Sequence, residues 1–156
     1  DATSIAASAG TALVGDVMDL TTARDLGNGQ VIYLVVQVTT AVASGGSATV
    51  NIQLASDAAA AIATDGSATV HWQTGAAAKT VFTAGKTYVV PLPWEDPAYE
   101  QYLGVIVTTA TATTTAGAIN AFLTLDPSGW SAACAVSSHG QGGLAPHRRS
   151  WLERTG

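Results

Sequence analysis

The sequence predicts an all-β fold: a single-domain, jelly-roll-like β-sandwich of about eight antiparallel strands with loose N- and C-terminal arms. Three observations predict it. Apolar and polar side chains alternate in stretches of five to ten residues, Gly, Asp, Ser or Pro separates these stretches at regular intervals, and no segment carries a sustained 3.6-residue period. At 156 residues the chain suits one core. We place an N-terminal arm at 1–15, the sandwich at 16–127 and a C-terminal arm at 128–156.

Residues 11–20 supply a possible first strand. Residues 31–40 are apolar on both faces, with Ile32, Leu34, Val36 and Val38 on one side and Val31, Tyr33 and Val35 on the other. Such a strand belongs in the middle of a sheet, because exposed it would template aggregation. Residues 48–55 alternate cleanly, with Val50, Ile52 and Leu54 inward and Thr49, Asn51 and Gln53 outward. The turn Ser44-Gly45-Gly46-Ser47 lies between the two, so the sequence predicts that they form an antiparallel hairpin.

Residues 67–73 continue the alternation, with Val70 and Trp72 opposed to Thr69, His71 and Gln73. Residues 80–82 form a short further candidate, and Thr83-Ala84-Gly85-Lys86 turns the chain into 88–92. Pro91 and Pro93 lack the amide donor that a central strand needs, so this strand ends there or lies at an edge. Asp96-Pro97 reads as a helix cap and first-turn proline, giving one helical turn. Residues 102–109 and 118–125 complete the series across a Thr-rich connection. Residues 58–62 favour helix but are too few for more than a loop or turn.

Hydrophobic residues make up 47% of the chain and charged residues only 11%, so its surface is built largely from Thr, Ser, Asn and Gln. A surface with so little charge suits contact with another protein. Residues 1–126 hold ten acidic residues against Arg24, Lys79 and Lys86, whereas the remainder holds Arg148, Arg149 and Arg154 against Glu153. An acidic body repels phosphate backbones, which argues against direct nucleic-acid binding. No apolar run reaches the length of a membrane-spanning helix, and the chain does not open on a signal segment. Cys134 is the single cysteine, which rules out an intrachain disulfide.

The chemistry-bearing residues do not assemble into an enzyme motif, and we expect no catalytic residues, cofactor or metal. Gly27-Asn28-Gly29 precedes a strand, so it reads as a turn rather than a dinucleotide loop. Asp16, Asp19 and Asp25 lack the spacing of a calcium loop. His71 on a strand reads as a satisfied or exposed histidine, and His139, His147 and Cys134 lie in the C-terminal arm without an orienting partner. Trp94, Tyr99 and Glu100 could form an aromatic sugar platform, as in a carbohydrate-binding or adhesin-type sandwich on a virion or cell surface. The competing reading makes the aromatics plugs for the sandwich's end.

Three ordered blocks resemble the cement, or decoration, proteins of tailed-bacteriophage capsids. The first is Val17-Met18-Asp19-Leu20, then Ala23-Arg24-Asp25-Leu26-Gly27-Asn28-Gly29 and the strand from Ile32 to Val38. The second is Thr83-Ala84-Gly85, Tyr88-Val89-Val90-Pro91-Leu92-Pro93 and Tyr99-Glu100-Gln101-Tyr102-Leu103. The third is Gly117 to Pro127, with Ala121-Phe122-Leu123-Thr124 and Asp126-Pro127. The resemblance covers about residues 16–127. It implies a jelly-roll-like domain that self-associates as a dimer or trimer and sits on the outer capsid surface, bridging neighbouring major capsid protein subunits. It does not reach 128–156, where we expect Trp130 and Trp151 to act as anchors and Arg148, Arg149 and Arg154 to meet acidic patches.

Overall fold

The computed structural model describes residues 2–24, 26, 29–93 and 98–130. Among the described residues, nine antiparallel strands form two sheets: β1 (Thr3–Ser4), β2 (Gly10–Asp19), β3 (Tyr33–Ala43), β4 (Thr49–Asp57), β5 (Thr69–Gln73), β6 (Ala77–Ala78), β7 (Thr87–Pro91), β8 (Tyr102–Ala110) and β9 (Ala116–Thr124). One sheet runs β1-β9-β3-β7 and the other β2-β8-β4-β5, with β6 paired to β4 beside β5. With the two-residue β6 set aside, these are two four-stranded sheets whose strand order is that of a jelly roll.

Every connection among these strands crosses from one sheet to the other except the run from β4 through β5 to β6. The predicted hairpin between residues 31–40 and 48–55 is therefore corrected. β3 pairs with β9 and β7, whereas β4 pairs with β8, β5 and β6. The reason is that both strands carry a strongly apolar row, Leu34-Val36-Val38 and Val50-Ile52-Leu54, and all six side chains are buried in one cluster. Two such rows bury the most surface by facing each other across a sandwich rather than lying side by side. The turn at 44–47 becomes the bridge between sheets. Ser44 Oγ donates to Thr113 O at 2.7 Å, Gly46 N–H donates to Ser44 Oγ at 3.1 Å, and Lys79 Nζ donates to Ser44 O.

The interior position expected for residues 31–40 is observed: β3 lies between β9 and β7, with Val35 and Val36 fully buried. The proline-limited strand is the edge strand β7. Residues 80–82 do not form a strand. Lys79–Val81 is a single 3-10 turn, which drops Phe82 into the core where its carbonyl accepts from Val42 N–H at 3.0 Å. The helical turn expected at Asp96-Pro97 lies outside the described residues.

The expected arm at 1–15 is also revised. Residues 3–4 and 10–15 belong to the sheets, and the boundary at residue 16 falls inside β2. Thr114 fastens this segment: it is buried, its Oγ1 lies 3.2 Å from both Ile5 O and Ala7 O, and it accepts from Ala7 N–H at 2.9 Å. Gly117 makes room for Ile5. Its φ is +146°, and a Cβ there would lie 3.0 Å from Ile5 Cγ1 and 3.2 Å from Val42 Cγ2.

A second small cluster covers part of the outer face of the β2-β8-β4-β5 sheet. Ile62, in the loop after β4, packs with Ala55 and Ile106, flanked by Leu13, Val17 and Ala68. The loop is held by Asp57, whose carboxylate accepts from Ala59 N–H at 3.0 Å and Ala63 N–H at 2.9 Å. These bonds, Ala63's first, hold the Asp57 carboxyl below the usual carboxylate range. Gly104 is the floor beneath Ile62, since a Cβ there would meet Ile62 Cδ1 at 2.8 Å and Leu13 Cδ1 at 3.3 Å. Gly104→Val is expected to cost about 1 to 3 kcal/mol by overpacking. In urea unfolding, Gly104→Val combined with Ile62→Ala should cost less than the sum of the single changes; strict additivity would contradict this packing.

Candidate functional site

The two outer faces differ in character. On the β2-β8-β4-β5 sheet, beside the Ile62 cover, uncharged polar side chains bond to one another. Thr11 and Thr108 hydroxyls lie 2.9 Å apart, Thr108 Oγ1 donates to Gln53 Oε1 at 3.1 Å, and Asn51 Nδ2 donates to Gln73 Oε1 at 2.9 Å. That face satisfies its own polar groups.

The outer face of the β1-β9-β3-β7 sheet is instead apolar at its centre. The register places Val89, Val35 and Phe122 in one row across β7, β3 and β9, between the rows Pro91-Tyr33-Thr124 and Thr87-Gln37-Asn120. Directly opposed residues share a face, and none of these nine is charged. Leu34, Val36 and Val38 point into the core, so Tyr33, Val35 and Gln37 must point outward. Val31 and Leu125, exposed by 48% and 57%, extend apolar surface at the end of the sheet where β3 begins and β9 ends.

Trp130 belongs to this face. Beyond β9, Asp126 N–H donates to Thr124 Oγ1 at 3.2 Å, Ser128 N–H donates to Asp126 Oδ1 at 2.9 Å, and Trp130 N–H donates to Pro127 O at 3.0 Å. The Ser128 hydroxyl and amide bonds hold the Asp126 carboxyl below its ordinary value. These successive turns reverse the chain and bring the Trp130 ring edge-on to Phe122, centroids 4.8 Å apart at 72°. Trp130 remains 41% exposed, so an aromatic anchored on one side presents its other side to solvent. The expected arm thus begins with a residue seated on the sandwich. Arg148, Arg149, Trp151 and Arg154 lie outside the described residues.

Sequence alternation missed the row because Val89 and Phe122 look like ordinary core residues. The apolar second face of residues 31–40 was the available signal. Val35 is indeed fully buried, and it is its row neighbours and Trp130 that leave accessible apolar surface.

The other candidates fall into place structurally. Tyr99 is 1% exposed, stacks on His71 with centroids 4.0 Å apart, and donates its hydroxyl to Pro93 O at 2.6 Å. It therefore plugs the sandwich's end and offers no sugar platform; Trp94 lies outside the described residues. Glu100 Oε1 accepts from Thr69 Oγ1 at 2.8 Å. Arg24 donates to the Thr21 and Thr22 hydroxyls, and Asp19 accepts from Thr21 N–H and Gln101 Nε2. Among the described residues no three His, Cys, Asp or Glu side chains cluster in a way that could hold a metal, and no helix is long and apolar enough to cross a membrane.

His71 Nε2 lies 2.7 Å from Ser56 Oγ, close to Glu100, an arrangement that resembles an activated serine. Ser56, however, is fully buried and its Oγ also accepts Glu100 N–H at 3.1 Å, so the serine ties β4 to β5 and to the chain before β8. A bulge creates this tie. Leu54 opposes Trp72 and Ala55 opposes Val70, leaving His71 as the extra residue. Val70 is thereby exposed and His71 half-buried, the reverse of what strict alternation gives.

Burial lowers the His71 pKa below its ordinary value, with Glu100 partly opposing the shift. The unfolded chain then binds the extra proton, so the stability from neutral His71 is present above about pH 6.5 and is lost as pH falls below it. Wild-type Tm should decline between about pH 7 and pH 5 more steeply than that of His71→Gln; parallel profiles would contradict the assignment.

These features define a class: an all-β jelly-roll sandwich with a self-satisfied polar face on one sheet and an uncharged apolar row on the other. The chain belongs to the Bbp16 family, whose model matches residues 1–123. Trp130 and the turns that seat it lie beyond that match. No curated protein matches the chain.

Proposed function

We propose that this protein is a structural component of a phage virion, binding the outer capsid surface, cementing neighbouring major capsid protein subunits and associating with copies of itself. The observation that carries the reading is the uncharged row Val89-Val35-Phe122 with Trp130 seated edge-on against Phe122 at its end. A face of this kind meets protein. It lacks the converging polar groups that would orient a small molecule, and it lacks the cations that would hold phosphate. The resemblance of residues 16–127 to capsid cement proteins supplies the partner.

In this reading many modest contacts act together. A shell presents identical sites at fixed spacing, so a subunit that spans two of them gains avidity without a tight single contact. Rigid β-sandwiches suit the task because they resist deformation when the shell is strained. Basic residues in 131–156, including Arg148, Arg149 and Arg154, would add contacts to acidic shell surface, with Trp151 as a further anchor.

The test is reconstitution on shells that lack the protein, with occupancy read from particle images. Wild-type chain should decorate the outer surface. Trp130→Ala should weaken binding about thirtyfold, the loss expected of a central aromatic anchor worth about 2 kcal/mol. Deleting residues 131–156 should lower occupancy further while leaving the sandwich folded by circular dichroism. Bare shells at saturating protein would refute the reading.

A further inference from the structure

The sandwich has four lateral edges, and three are blunted against pairing with another strand. β2 bulges between Val14 and Met18, with Asp16 in the bulge and Asp19 at its end. β7 ends in Pro91, which has no amide donor, and Pro93 follows. β5 is five residues long and interrupted at His71. Bulges, charges and prolines are the usual protections of exposed edges.

The fourth edge has none of them. On the side of β9 away from β3, β1 covers only Ala118 and Ile119. Asn120, Ala121, Phe122, Leu123 and Thr124 pair with β3 on one side and have no strand on the other among the described residues. This stretch contains no charge, proline, glycine or bulge. A cleft of about 440 Å³ opens beside it, lined by Val14, Asp16, Val105 and β9 itself.

We infer that this edge pairs with the same edge of a second copy, antiparallel about a twofold axis, joining two four-stranded sheets into one of eight. The window sets the register. It is closed at one end by β1 on Ile119 and at the other by the turn that starts at Leu125, leaving five residues whose midpoint is Phe122. Twofold pairing places Phe122 opposite the partner's Phe122, Ala121 opposite the partner's Leu123 and Asn120 opposite the partner's Thr124. The inward pair thus matches a small side chain with a large one, and the outward pairs are aromatic on aromatic and amide on hydroxyl. Two chains of net charge −5 repel, and residues 120–124 themselves add no charge to that repulsion, Asp16 being the acidic residue in the cleft beside them. The pairing also sets the two Phe122-Trp130 clusters side by side.

The inference specifies the self-association within the function proposed above but needs no shell, so failure of shell binding and failure of this pairing are separate results. The 156-residue chain should sediment at twice its monomer mass. Phe122→Lys, which opposes two like charges at the axis, should return it to monomer while retaining the β-type circular dichroism spectrum. As an independent check of register, the lone cysteine is first removed by Cys134→Ser. Opposed Cα atoms in an antiparallel pair lie about 4.5 to 5.5 Å apart, within disulfide reach. Phe122→Cys should therefore oxidise to a covalent dimer. Asn120→Cys should not do so alone, but should cross-link when mixed with Thr124→Cys. A chain that stays monomeric across the micromolar range, or a dimer that cross-links through none of these positions, would overturn the inference.

Discussion

The structure depends on two apolar rows meeting face to face. Leu34, Val36 and Val38 on one sheet and Val50, Ile52 and Leu54 on the other close the core, joined by Leu103, Val105 and Val107 from β8. Burying a side chain of this size contributes about 1.5 to 3 kcal/mol, so these nine carry much of the favourable side of folding. Because the rows sit on consecutive strands, the chain must cross between sheets at residues 44–48. The neighbouring connection at 111–115 crosses there too, and the two are bonded to each other through Ser44 and Thr113. A jelly roll follows from repeating that crossing.

Closing the ends is a separate problem, solved with different chemistry at each. At one end Tyr99, Leu20 and Leu92 fill the opening, and Ser56, His71, Glu100 and Thr69 satisfy the polar groups buried with them. At the other, Phe82, Val42 and Ile5 fill the gap, and Thr114 fastens the N-terminal segment over it. With little charge available, hydroxyls and backbone groups meet most of the polar needs buried at these two ends. The surface stays sparsely charged as a result.

This economy of charge links fold to function. One sheet is covered by the Asp57-stapled loop and a ladder of Gln, Asn and Thr, whereas the other leaves Val89, Phe122 and Trp130 at the surface. Three edges are spoiled for pairing and one is left regular. In the function proposed above, the apolar row meets a foreign surface and the clean edge meets a sister chain. Neither task requires a moving part or a titrating group.

The strands were legible in the sequence because side-chain alternation reports directly which residues can share a buried face. The doubly apolar residues 31–40 announced an interior strand, and Pro91 with Pro93 announced an edge. Which strands pair was not legible, since alternation records a strand's faces but not its neighbours; hence residues 31–40 and 48–55 read as a hairpin although they belong to opposite sheets. The bulge at His71 was hidden for the same reason: one extra residue changes which side chains point inward, and only the cross-strand register with β4 reveals it. Trp130 could be named from its type, but its seat on Phe122 depends on turns whose outcome is set by the sheet they fold against. The local chain determined the elements, and contacts between residues far apart in sequence decided their arrangement and the surface they present.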